Sequence, residues 1–493
     1  MNYSDYIPTI GLEIHAELKT FSKMFCLCKN DPSQEKPNVH ICPICMGHPG
    51  TLPVLNREAI RNVLKIGLAI DGTIADFTEW DRKNYFYPDI PKGYQITQYL
   101  YPLIRGGTLA GVELERIHLE EDTAKSTHDH DNKIESQDLT SRGRTSRINF
   151  NRSGVPLMEL VTKPVIHDAV TAVHFAKELQ LLLRYLGAGE ANLEKGEMRV
   201  EANISVASPT DTRVGTFGTK TEVKNLNSFR SVESAIDYEI DRQIQELESG
   251  RAIIQETRGW DDAKKETYSQ RAKESSHDYR YFPEPDIPKL KISEVPEFAS
   301  PLLRAEIPEL PEAKRKRFAQ MFGMTPKEVA VFVDTPPISN YFESVISAFP
   351  DDTTHIKLAT NYILSDYLGL LKTTLSPLET ISPVHFSELI QMIATGDLSS
   401  RGGKDVLGLL LQNSGASPRA IAEQHDLIQK SDLGVIAPII EKILSDNTEA
   451  VVEYKAGKTA SLQFLIGQAM KATKGSANPE VVKNLLIEKL QTS

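Results

Sequence analysis

"TIGLEIHAEL", Thr9 to Leu18, decides how the first half of this chain reads. Taken alternately, Ile10, Leu12, Ile14, Ala16 and Leu18 fall on one side of a strand. Glu13, His15 and Glu17 fall on the other. The apolar row asks for burial, so the stretch is predicted to be a half-buried strand with two carboxylates and an imidazole on its open face. A solvated edge strand accounts for such a row, and so does a divalent cation. A second stretch bears on the choice. "ERIHLEEDTAK" places His118, Glu120 and Asp122 on one face and Ile117, Leu119 and Glu121 on the other. Two strands of this kind meeting across a sheet would suit Mg2+, which prefers carboxylate oxygens and keeps waters for substrate phosphates. Residue parity leaves open whether Glu120 or Glu121 faces the ion.

Outward from these strands, β-rich stretches recur in "MRVEANISV" and "TFGTKTEVKNL". Two helices stand among them. "DAVTAVHFAKELQLLLRYLG" has Asp168 as its N-cap and Gly187 as its stop, and "SVESAIDYEIDRQIQELESG" ends at Gly250. Strands and helices that do not alternate strictly imply an α+β fold rather than a doubly wound parallel sheet. The proline-rich run from Asp278 to Pro311 reads as a boundary, and helical patterns follow it. Thr325-Pro326-Lys327-Glu328 has the capping-box form, and Ser417-Pro418 is another helix start. Three regions are therefore expected: 1–292, a helical domain over 293–414, and a helical tail over 415–493.

The 493 residues exceed what one hydrophobic core serves. The net charge of −11 argues against broad, nonspecific nucleic-acid binding while allowing a local basic patch. No apolar run approaches the ~20 residues of a membrane span. The opening residues lack the basic-then-apolar pattern of a signal peptide, so the cytoplasm is the expected compartment.

All four cysteines lie close together: Cys26, Cys28, Cys42 and Cys45. Two short-range pairs joined by a loop match a four-thiolate zinc site, and Pro43 and Gly47 suit the tight turn of a knuckle. Four sulfurs leave no open coordination position, so the expected zinc is structural. Other stretches stay ambiguous on residues alone. "DRKNYFYPDIPKGYQITQY" fits either a surface loop or an aromatic cleft wall. "HDHD", from His128 to Asp131, reads as a solvated loop. "AGKT", from Ala456 to Thr459, lacks the glycine a phosphate-binding loop needs, because position 452 is Val452. In the tail, Lys455, Lys458, Lys471 and Lys474 form either a solvated helix face or a phosphate-contacting patch.

Together these stretches resemble one family, the GatB component of glutamyl-/aspartyl-tRNA amidotransferases. "GLEIHAEL", "CPICMGHPGTLP", "DRKNYFYPDIPKGYQITQY", "ERIHLEEDTAK", "FNRSGVPLMELVTKP", "KTEVKNLNSFRSVESAIDYEI", "HDYRYFPEPDIP" and "GQAMKATKGSANP" appear in the family's order across nearly the whole chain. Where the family usually has Ala-Gly-Lys after "LEED", this chain has Thr123-Ala124-Lys125.

The resemblance implies an N-terminal cradle related to glutamine synthetase, then a helical domain and a tRNA-binding helical tail. It implies ATP and Mg2+ as cofactors, with structural Zn2+ on the cysteines. The implied partners are an amidase (glutaminase) subunit, GatA, a small third subunit, GatC, and mischarged Glu-tRNA(Gln) or Asp-tRNA(Asn). By motif position, Glu13, His15 and Glu120 or Glu121 would serve Mg2+ and catalysis. Lys83, Tyr85 and Lys92 would line an ammonia passage. Arg152 and Lys224 would meet phosphate or the tRNA 3′ end, and Lys458, Lys471 and Lys474 would meet tRNA. Two other readings compete with this one: a tRNA-binding adaptor without chemistry, and a stand-alone ligase acting on a free amino acid.

Overall fold

In the computed structural model, which describes residues 5–128, 146–208, 216–272, 279–429, 433–473 and 477–492, the "GLEIHAEL" stretch is strand β1, Ile7–Glu17. It lies inside a ten-stranded sheet rather than at an edge, so the edge-strand explanation fails. The strands around it are β2 (Val112–Glu121), β3 (Pro156–Thr162), β4 (Met198–Ala207) and β5 (Thr221–Leu226). The order across the sheet is Glu266–Ala272, Glu256–Asp261, β5, β4, β1, β3, β2, Ile104–Arg105, Thr73–Ile74, with Thr108–Leu109 also beside β2. These pairings are antiparallel except that of β5 with Glu256–Asp261.

The period-two pattern holds. Ile10, Leu12, Ile14 and Ala16 are buried in one apolar core. Helices α1 (Arg57–Ala69), α2 (Ala169–Tyr185) and α3 (Phe229–Glu248) close that core, with α1 against β2, α3 against β4, and α2 against α3. Asp168 caps α2 by accepting from the Thr171 amide at 2.7 Å. Helix α3 starts at Phe229, earlier than its apolar pattern implied, because Ser228 accepts from the Ser231 amide at 3.0 Å and fixes the start there.

The chain divides into two compact units, Met1–Pro311 and Glu312–Ser493. The proline-rich run belongs to the first: Ile287, Ile292, Phe298 and Leu303 enter its core. The second unit is built of helices. Its Pro326–Val333 helix carries the capping box of Thr325 and Glu328, and Ser417 caps Pro418–Gln424. The glycine-rich "SSRGGKDV" also lies in a helix, Ser400–Gln412. A Cβ on Gly403 would sit 2.6 Å from Ile393 Cδ1, so close packing of neighbouring side chains demands the glycine. The final helices, Leu433–Asp446, Thr448–Lys455, Thr459–Ala472 and Pro479–Thr492, close over Ile436, Ile440, Leu465, Val482 and Leu486. No described helix is long and apolar enough to cross a membrane.

Candidate active site and metal-binding residues

The register of the central strands assembles the polar face. His118 on β2 stands opposite Glu159 on β3, Glu159 opposite His15 on β1, and His15 opposite Arg199 on β4. One step along, Glu13 stands opposite Glu201. Side chains on one face of neighbouring strands lie close enough to interact, and these do. Glu159 Oε2 is 3.4 Å from His15 Nε2 and 3.2 Å from His118 Nε2. Glu120 Oε1 is 3.5 Å from the same His15 nitrogen, and Glu120 Oε2 accepts from Thr97 Oγ1 at 3.1 Å.

Among the described residues three overlapping donor sets result, each with ligand atoms within 4.8 Å of one another: Glu13, His15 and Glu159; His118, Glu120 and Glu159; Glu13, Glu201 and Glu222. The Nδ1 atoms of His15 and His118 are buried without a hydrogen-bond partner among the described residues. Carboxylates dominate all three sets, which fits a hard, oxygen-preferring cation.

The electrostatics show how crowded this face is. Burial, then Glu159 and Glu201, push the Glu13 carboxyl above its usual range. Burial opposes charge on His15, but the hydrogen bond and charge of Glu159, with Glu120, win and lift it to about 9. Burial would also raise Glu159, yet His118 and His15 hold it well below the ordinary carboxylate range. Glu17 is lifted to about 7 by burial and by Asp122.

The remaining sequence-predicted residues sort as follows. Glu120 joins His15. Glu121 does not join the Glu13–His15 group: Lys92 donates to its carboxylate, and so does the Ile96 amide at 3.0 Å. Lys83 approaches the rings of Tyr279 at 5.2 Å and Tyr85 at 5.8 Å. Burial is the largest influence and works against its charge, but Glu120, Tyr281, Tyr85 and Glu159 together outweigh it and raise its pKa. The Tyr85 hydroxyl donates to Gln95 at 3.3 Å. This aromatic wall forms because "DRKNYFYPDIPKGYQ" and "YRYFPEPD" pair. Arg82 makes a two-pronged bond to Glu284 at 2.7 Å on each arm, and Tyr99 stacks on Tyr281 at 4.1 Å.

Lys224 is held by Glu201 and Glu222 rather than standing free. Arg152 donates to the carbonyls of Thr123 at 2.9 Å and Ala124 at 3.0 Å and faces Asp122. Lys458 pairs with Glu453 at 2.8 Å, and Lys471 lines an open cavity with Lys442 and Gln468. Lys474 and most of "HDHD" lie outside the described residues.

The residues that sequence reasoning did not single out are Glu159, Glu201, Glu222 and Arg199. Two signals were present. "MRVEANISV" alternates Arg199, Glu201 and Asn203 against apolar neighbours just as "GLEIHAEL" does, and Glu159 is a lone acid inside an apolar run.

The four cysteine sulfurs lie within 4.8 Å of one another, with Cys42 and Cys45 at 3.9 Å. Sulfurs bound tetrahedrally to zinc at ~2.3 Å stand about 3.8 Å apart, so the cluster fits the ion. The Cys42–Cys45 turn is a knuckle: the Met46 amide donates to Cys42 O, the Gly47 amide to Ile44 O, and the Cys42 amide to Cys45 Sγ at 3.2 Å.

The family model "GatB/GatE catalytic domain" matches residues 8–296, and "GatB domain" matches residues 340–490. The chain is 41% identical to the B subunit of the aspartyl/glutamyl-tRNA(Asn/Gln) amidotransferase of Myxococcus xanthus, over 99% of this chain and 100% of that protein. It is 38% identical to the corresponding protein of Carboxydothermus hydrogenoformans, over 99% of each. A family model over more than half of the chain and relatives of this identity along 99% of it establish the membership: the chain belongs to the GatB family, the B subunits of tRNA-dependent amidotransferases.

Proposed function

We propose that this chain carries the kinase and transamidase step that makes Gln-tRNA(Gln) from Glu-tRNA(Gln), Asn-tRNA(Asn) from Asp-tRNA(Asn), or both. A carboxylate is a poor acyl donor because its leaving group would be oxide. In the proposed reaction a side-chain carboxylate oxygen attacks the γ-phosphorus of ATP and ADP departs. Ammonia then attacks the acyl carbon, phosphate leaves, and the nitrogen gives up a proton. The ammonia comes from the amidase partner, GatA, joined to this chain through the small partner, GatC.

Two anions must be brought together for the first step, so the site has to supply positive charge. Glu13, His15, Glu120, Glu159, Glu201 and Glu222 are the residues that would hold Mg2+, which when bound offsets the charge of the phosphates. The observation that carries this reading is the convergence of these donors on one face of the sheet. Glu159 and Glu120 position the His15 imidazole. Lys83 places a fixed cation beside Glu120, and its ring neighbours Tyr85 and Tyr279 make a wall that limits water. Such a wall suits ammonia, which attacks only in its unprotonated form.

The cysteine cluster would hold structural zinc, and residues 415–493 would form the tRNA-contacting tail. The test is the chain co-expressed with its two partners and given Glu-tRNA(Gln), ATP, Mg2+ and ammonium chloride, following Gln-tRNA and ADP. ATP-dependent product from wild type that is lost in Glu13→Ala and His15→Ala supports the reading. Undiminished product in both variants refutes the assigned site.

A further inference from the structure

Lys23 is an unusual charge in the first unit. It is fully buried, yet among the described residues no carboxylate pairs with it. Its ammonium donates to His40 O at 2.7 Å and Phe150 O at 3.2 Å and lies 3.9 Å from Cys45 Sγ. An isolated buried cation is costly unless an anion compensates it. Among the described residues, the neighbouring group able to take up negative charge is the cysteine cluster. Four neutral thiols or two disulfides would give this ammonium no countercharge. A tetrathiolate zinc centre, carrying two net negative charges, would.

We infer that Lys23 is the built-in countercharge of the cysteine metal centre and the bolt that fastens it to the Phe150–Gly154 turn. The inference rests on the zinc reading above and adds a residue to it. Several contacts share that route. Asn151 Oδ1 accepts from the Val39 and His40 amides at 2.9 and 3.0 Å, and Ser153 Oγ donates to Cys45 O at 3.3 Å. The Met24 amide donates to Gly154 O at 2.7 Å. Gly154 has φ +85°, and a Cβ there would contact both Cys45 Cβ and Lys23 Cδ at 3.5 Å, so the turn lies directly on this pair. The same turn carries Arg152, which faces Asp122. The metal loop is thereby connected through this turn to Arg152 and Asp122.

The full chain in its complex tests this. Metal content of wild type is measured first, then zinc affinity by competition with a chromophoric chelator for wild type, Lys23→Met, Lys23→Gln and Lys23→Arg. Loss of an outer partner of a metal site lowers affinity about 10–100-fold. Both neutral variants should fall in that range and Lys23→Arg should recover part of the loss. With Co2+ in place of zinc, the thiolate-to-metal charge-transfer bands should move to lower energy in Lys23→Gln, because the thiolates lose a stabilising cation. Lys23→Gln also guards against misfolding of Lys23→Met, since it keeps a donor. Zinc-free wild type overturns the zinc reading itself. Zinc-bound wild type with unchanged affinity and spectrum in Lys23→Gln overturns the countercharge alone.

Discussion

Replacing Glu13 by Gln should stabilise the metal-free protein while abolishing its activity. Glu13 shares donor sets with Glu159 on one side and with Glu201 and Glu222 on the other, all within 4.8 Å. Two unit charges at that distance repel by about 3.5 kcal/mol at an effective dielectric of about 20. Lys224 already neutralises much of the Glu201–Glu222 pair, and His15 offsets part of Glu159. What is left amounts to less than one full repulsion, so the expected gain is roughly 1–2 kcal/mol, a rise in Tm of a few degrees.

The sign follows from linkage. The folded-state pKa of Glu13 is raised, so the native state binds the extra proton more readily than the unfolded chain does. Metal-free wild type should therefore lose stability as pH rises through that raised pKa, and Glu13→Gln should lack this part of the loss. Mg2+ should raise the Tm of wild type according to RT ln(1 + [L]/Kd) and have much less effect on the variant. The assay is thermal unfolding with and without Mg2+ across pH, beside Gln-tRNA formation. A Glu13→Gln protein no more stable than wild type without metal, or fully active with it, would refute the reasoning.

Other expectations follow from the same structure. Cys42→Ser with Cys45→Ser should release one zinc per chain by elemental analysis and lower the Tm of the first unit, and intact protein without zinc would contradict this. Arg199 Nη2 holds Asp122 Oδ1 at 3.1 Å. Burial acts to raise the Asp122 carboxyl, but Arg199 and Arg152 depress it, so its contribution to stability is present at neutral pH and lost as pH falls through the depressed pKa. Arg199→Met should move that loss to higher pH and cost about 1–2 kcal/mol, discounted because the guanidinium is 36% exposed; an unshifted acid limb in urea unfolding would disprove it. Truncation after Ser414 should weaken tRNA binding and its salt dependence while leaving the partner's glutaminase reaction intact, as read by filter binding and glutamate release. Gly403→Val should destabilise the helical unit by about 1–3 kcal/mol through collision with Ile393, seen as a lower denaturation midpoint.

What each strand must do with its two faces is set by its own run of residues. The alternation in "TIGLEIHAEL" specified Ile10, Leu12, Ile14 and Ala16 as core and Glu13 and His15 as an open row, because a side-chain period of two is a local property of extended backbone. The cysteine spacing and the caps at Asp168, Thr325 and Ser417 were legible for the same reason: each is a contact among near neighbours in the chain.

Which strands lie beside β1 is another matter. His15 meets Glu159 through a pairing that leaps over β2 and everything between it and β1, and Glu13 meets Glu201 along the other side of the same strand. No local pattern encodes register between such distant segments. Tertiary structure therefore brought in Glu159 and Arg199, sent Glu121 to Lys92 and Glu120 to His15, and buried Lys23 against the cysteine sulfurs. Faces are written residue by residue, whereas neighbours are chosen when the whole sheet closes over its core.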